Sequence, residues 1–122
     1  VGTNGNGYGM AIGAGTLGAG SRLYCLRGGL AWQDSTYTLP TSNATYHLVV
    51  CRGSGVARFY VNGVQVGTTF SGAPSTPATQ TDIGGYQADG QQFRGKIAHV
   101  AVYAQALTDA QILKHYTTGL SG

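Results

Sequence analysis

Arg58-Phe59-Tyr60-Val61-Asn62-Gly63-Val64-Gln65-Val66 is the stretch whose reading decides the fold. Asn-Gly between two alternating apolar runs is the strongest short-range hairpin signal. A two-residue type I′ turn needs positive φ at both central positions, and Asn and Gly tolerate that best. Such a turn sets Val61 opposite Val64, Tyr60 opposite Gln65 and Phe59 opposite Val66. Period-2 alternation then puts Phe59, Val61, Val64 and Val66 on one face and Arg58, Tyr60 and Gln65 on the other. Turn chemistry and apolar pattern agree on one register.

Outward from the hairpin, Tyr46 to Cys51 reads as a strand apolar on both faces: Val49 and Cys51 on one, Tyr46, Leu48 and Val50 on the other. Such a run predicts a central strand covered on each side. Arg22 to Gln33 predicts a second hairpin turning at Gly28-Gly29, and Thr36 to Leu39 a short strand stopped by Pro40. The Ser, Thr, Gly and Pro content of residues 68–81 predicts surface loop. A short strand, Asp82 to Tyr86, precedes the polar loop Gln87 to Gln92, and Lys96 to Tyr103 alternates with Ala98, Val100 and Val102 on one face. Residues 107–117 predict the one helix: Thr108 as N-cap, Gln111 completing a capping box, Asp109 in the first turn and Gly119 as the stop.

Gly13-Ala14-Gly15-Thr16-Leu17-Gly18 matches the dinucleotide-binding pattern but opens no helix, so it is read as a hairpin loop. Charged residues make up only 9% of the 122, with no Glu, and Gly makes up 21 of them. This composition suits short strands and tight turns in one domain spanning residues 1–122. The seven basic residues are scattered, which argues against a nucleic-acid surface. No apolar run approaches the roughly 18 residues of a membrane span, so no membrane insertion is expected. The chain begins at Val1 without an initiator Met and is read as a processed product or a fragment. Cys25 and Cys51 lie in strand-like runs, either as buried thiols or, if their strands are neighbours, as a disulfide. Asn43-Ala44-Thr45 is a glycosylation triplet, meaningful only in a secreted eukaryotic protein.

Six pieces in order resemble the laminin-G-like branch of the concanavalin A-like lectin/glucanase superfamily. They are Tyr46-His47-Leu48-Val49-Val50, Phe59 to Val64, Asp82-Ile83-Gly84-Gly85, Phe93-Arg94-Gly95-Lys96-Ile97, Val100 to Tyr103, and Ala106-Leu107-Thr108. The resemblance covers roughly residues 8–117 and implies an all-β antiparallel jelly-roll β-sandwich with one short C-terminal helix, lacking the first strands of such domains. Where those domains carry an acidic pair after Phe-x-Gly-x-Ile, this chain has Ala98 and His99, so that pair's role does not transfer.

Glycoside hydrolysis needs two carboxylates flanking the scissile bond. Asp34, Asp82, Asp89 and Asp109 are far apart in sequence, and no Gly-x-Ser-x-Gly elbow is present. A binding module is therefore expected, not an enzyme. The resemblance implies calcium as a candidate ligand of Asp34, Asp82 and Asp89, with no other cofactor. Sugars stack on flat aromatic faces and hydrogen-bond to carboxylates and amides, so Trp32, Asp34, Tyr86, Gln87 and Asp89 are the candidate carbohydrate-binding residues. The alternative is a protein–protein assembly module, oligomeric or part of a virion. Its candidate interface joins Arg22 and Tyr24 with Arg52, Arg58 and Tyr60, provided their strands share a sheet. Either reading places the protein at an extracellular or virion surface.

Overall fold

The computed structural model describes residues 8–13, 20–27, 31–72, 82–86 and 91–121. Its strands are β1 (Tyr8–Gly13), β2 (Arg22–Arg27), β3 (Ala31–Thr38), β4 (Leu48–Gly53), β5 (Val56–Val61), β6 (Val64–Ser71), β7 (Gly85–Tyr86) and β8 (Gln91–Gln92); its helix is α1 (Asp109–Gly119). One antiparallel sheet runs β1–β2–β3 and the other β4–β5–β6, while β7 pairs with β8. The two larger sheets face each other as a β-sandwich. Leu23, Cys25 and Leu39 from the first meet Ala57, Phe59 and Val61 from the second, with Leu48, Val50, Val66 and Phe70 packed around them.

The Asn62-Gly63 hairpin has the register read from its sequence. Both turn residues sit at positive φ, 52° and 81°. Asn62 also ties the turn to the entry of β4. Its amide donates to the His47 carbonyl at 2.9 Å, and its Oδ1 accepts the His47 amide at 3.0 Å. Val64 departs from the expected core face: beside the turn it is 62% exposed.

Three further expectations are corrected. The strand through Val50 is covered on both faces, but among the described strands it lies at the edge of its sheet, and β5 is central. Thr68 to Ser71 is not loop but the continuation of β6 against Val56 and Ala57, where Phe70 meets Phe59 edge-on and outweighs the polar composition. Lys96 to Tyr103 forms no strand. Its alternation is broken by His99 at φ 54°, and no described strand pairs with it. The expected turn at Gly28-Gly29 and the hexapeptide's residues 14–18 lie outside the described residues.

Each sheet carries one bulge, and the two bulges meet. In β3, Ser35, Thr36 and Tyr37 fall between the Tyr24–Asp34 and Arg22–Thr38 pairs; in β6, Gly67, Thr68 and Thr69 fall between the Phe59–Val66 and Ala57–Phe70 pairs. Thr36 and Gly67 have φ of 63° and 68°. The Thr36 and Thr68 hydroxyls lie 3.1 Å apart. A Cβ on Gly67 would stand 2.2 Å from the Ser35 carbonyl oxygen, so only glycine permits this approach.

On the outer face of the second sheet, α1 covers a separate core of Cys51, Tyr60 and Ile112. The predicted capping box at Thr108 and Gln111 is formed. Tyr60 Oη donates to Asp109 Oδ1 at 2.7 Å, and Leu113 and Tyr116 press on Gly63. Cys25 and Cys51 are therefore free thiols in two different cores.

Candidate functional site

The outer face of the first sheet is built by register. Leu26 pairs with Gly9 and Trp32, and Tyr24 pairs with Ala11 and Asp34. These residues alternate away from Leu23 and Cys25, so they point out of the sandwich. The small residues of β1 leave room for rings to lie across them. A Cβ on Gly13 would stand 2.2 Å from the Tyr24 ring, and one on Gly9 would stand 3.6 Å from Trp32 Cη2. Trp32 stays partly exposed, whereas Tyr24 is 4% exposed and forms a floor.

Asp34 is held in a fixed orientation beside these rings. Its Oδ1 accepts the Thr36 amide at 2.7 Å, which closes the β3 bulge. Its Oδ2 accepts Arg22 Nη1 at 2.8 Å and Tyr24 Oη at 3.4 Å. Partial burial pushes the carboxyl upward, but the Thr36 amide and the Arg22 guanidinium outweigh it and hold Asp34 below the usual carboxylate range. Burial, with the negative charge of Asp34, pushes the Tyr24 phenol up. The result is a partly exposed indole beside an oriented, ionised carboxylate and its arginine.

The candidate residues are thus sorted differently from expectation. Trp32 and Asp34 come together, and Arg22 and Tyr24 join them. The single shared interface face does not form, because β2 belongs to one sheet and β4 and β5 to the other. Arg52 points between the sheets, donating to Gln33 Oε1 at 3.0 Å and to the Gly72 carbonyl, with Cys25 Sγ at 3.7 Å. Burial pushes that thiol up despite the arginine. Arg58 and Tyr60 lie on the α1 side, with Tyr60 buried beneath the helix. Tyr86 is in β7, while Gln87 and Asp89 lie outside the described residues.

Among the described residues, no group of three or more His, Cys, Asp or Glu is placed to hold a metal ion. Of the calcium candidates, Asp34 already accepts the Thr36 amide and the Arg22 guanidinium, Asp82 lies on a separate segment, and Asp89 lies outside the described residues, so the described candidates do not form a calcium-binding set. Asp34 is the carboxylate that the β2–β3 register sets on the Trp32 face.

A laminin-G family model of the concanavalin A-like lectin/glucanases superfamily matches residues 1–113. The chain belongs to this superfamily. As a laminin-G-like chain its fold is similar to the 2.1 Å crystal structure of an S-layer domain-containing protein (residues 221–444) from Clostridium thermocellum ATCC 27405. The TM-score is 0.54 and the identity 19%, with 78% of this chain and 50% of that chain covered. The chain thus spans half the length of that structure, and the likeness is one of fold. No curated protein matches this laminin-G-like chain.

Proposed function

We propose that the domain is a non-catalytic carbohydrate-binding module of an extracellular or virion surface protein. The observation that supports this most directly is the partly exposed Trp32 beside the oriented Asp34–Arg22 pair on the outer face of β1–β2–β3. A pyranose stacks its C–H face on the indole, and its hydroxyls donate to Asp34 and accept from Arg22. Superfamily membership and the likeness to an S-layer domain-containing protein support a surface location. A glycan array on the folded domain, with and without a calcium chelator, tests the reading. Trp32→Ala is expected to weaken binding about tenfold, or about 1.4 kcal/mol, without lowering the unfolding midpoint. Unchanged affinity in that variant would remove this face as the site. Loss of binding on chelation alone would move the site towards Asp82 and residues 87–90.

A second reading, protein–protein assembly, is favoured by one observation. Ile83, Phe93, Ile97, Val100, Val102 and Tyr103 are between 44% and 67% exposed along neighbouring segments. Clustered apolar surface of this kind marks interaction sites. Val100→Asp with Val102→Asp is expected to lower any self-association seen by sedimentation while leaving glycan binding intact. Tyr60, by contrast, reports folding of α1 and not association.

A further inference from the structure

We infer that His47 is an acid-sensitive latch that holds the C-terminal half of α1 against the second sheet. Its Nδ1 is the one buried side-chain nitrogen or oxygen, among the described residues, without a hydrogen-bond partner. The ring lies against Tyr116 of α1, with centroids 6.0 Å apart. The backbone cannot swing the ring outward, because His47 is bonded through both its amide and its carbonyl to Asn62.

A neutral imidazole can keep this nitrogen as an unprotonated acceptor; protonation turns both nitrogens into donors and adds a charge. Nothing among the described groups compensates that charge. The charged side chains of α1 are Asp109, Lys114 and His115. Asp109 is bonded to Tyr60 at the far end of the helix, and His115 opposes a charge on His47. The β5–β6 turn offers Asn62 and Gly63, and on its own segment His47 is flanked by Tyr46, whose hydroxyl bonds Thr41, and by Leu48. Burial first, and His115 second, lower the His47 pKa below the ordinary histidine range. Acidification through the ordinary histidine range therefore protonates His47 where the helix has lifted and the ring reaches water, while the docked ring stays neutral, so the lifted state gains population. The N-terminal half of α1 keeps its own attachments through Asp109 and Ile112 over the Tyr60–Cys51 core, so the C-terminal turns, which hold Leu113 and Tyr116 over Gly63, lift first.

The helix amides report the opening: those of residues 116–119 lie in the turns that lift, and that of Ile112, bonded to the Thr108 carbonyl, lies in the half that stays. Hydrogen exchange of the full chain is followed at about pH 7.5 and about pH 5.5, spanning the titration of histidine, and read as protection factors, which remove the intrinsic pH dependence of exchange. Protection of residues 116–119 relative to Ile112 is expected to fall in acid, by at most about tenfold one pH unit below the ordinary histidine value of about 6.5. His47→Phe should abolish the fall. Constant relative protection, or a fall that persists in His47→Phe, overturns the proposal. If His47→Phe does not fold, the His47 ring-proton titration decides by NMR in the parent chain: a midpoint below about 6.5 supports the latch, and one at or above it refutes it.

Discussion

Replacing Tyr60 by Phe isolates one attachment of the helix to the sandwich. The ring remains, 2% exposed in the parent, so its packing against Cys51 and Ile112 is retained and only the 2.7 Å bond to Asp109 is lost. Hydrogen bonds to charged acceptors contribute roughly 1.5–3 kcal/mol. Asp109 is on the exposed side of the helix, which places this bond at the lower end, about 1.5 kcal/mol. With a urea m-value of about 1.5 kcal/mol/M, the unfolding midpoint falls by about 1 M. Asp109→Ala also loses a favourable charge in the first helical turn, roughly 0.3–1 kcal/mol, so the bond itself is read from the double-mutant cycle. A coupling of about 1 kcal/mol is expected; effects that add to within about 0.3 kcal/mol would refute the reasoning. The bond also has an alkaline signature. Burial and the Asp109 acceptor push the Tyr60 phenol up to about 12. An unfolded tyrosine loses its proton near 10. The stabilisation is therefore full below about pH 10 and lost as pH rises towards 12. Tyr60→Phe should flatten that part of the stability profile.

Gly67→Ala forces a Cβ to 2.2 Å from the Ser35 carbonyl oxygen at a φ of 68°, and should cost roughly 3 kcal/mol, read as a lowered urea midpoint. An unchanged midpoint would mean that the two bulges do not set the spacing of the sheets. Asn62→Ala removes the acceptor of the His47 amide and strains the turn, for about 1–2 kcal/mol; Asn62→Gly, which keeps the turn geometry, should recover part of it. Because the Asp34 carboxyl is held below its usual range, its contribution is full above about pH 4 and disappears as pH falls further. The parent should therefore lose more stability than Asp34→Asn between about pH 5 and about pH 3; parallel profiles would sink this assignment.

Much of the sandwich was legible because local chemistry and pattern agreed. Asn62-Gly63 dictated the β5–β6 register, and Thr108 with Gln111 dictated the helix start. The site was legible only in part, and the reason is register. A two-residue loop at Gly28-Gly29 would pair Cys25 with Trp32 and turn the indole inward. The observed pairing is Leu26 with Trp32, one residue over, and that slip carries Trp32 and Asp34 to the Tyr24 face. The bulges at Thr36 and Gly67 left no signal at all. A β-branched residue at positive φ is a choice that propensity argues against, and here it is held by Asp34, Ser35 and Thr68 together. The same blindness made Thr68 to Ser71 read as loop.

The two cores lie on opposite sides of the second sheet, with the packed layer of Phe59, Val61 and Leu23 standing between the Trp32 face and the helix. A close-packed layer of this kind passes on a disturbance only by repacking, and neither face needs the other to move. Ligand occupancy and acidity should thus act as independent variables. Their free energies add, and titrating one leaves the midpoint of the other where it was. In a chain of such modules, each domain would report two conditions of its surroundings without confusing them.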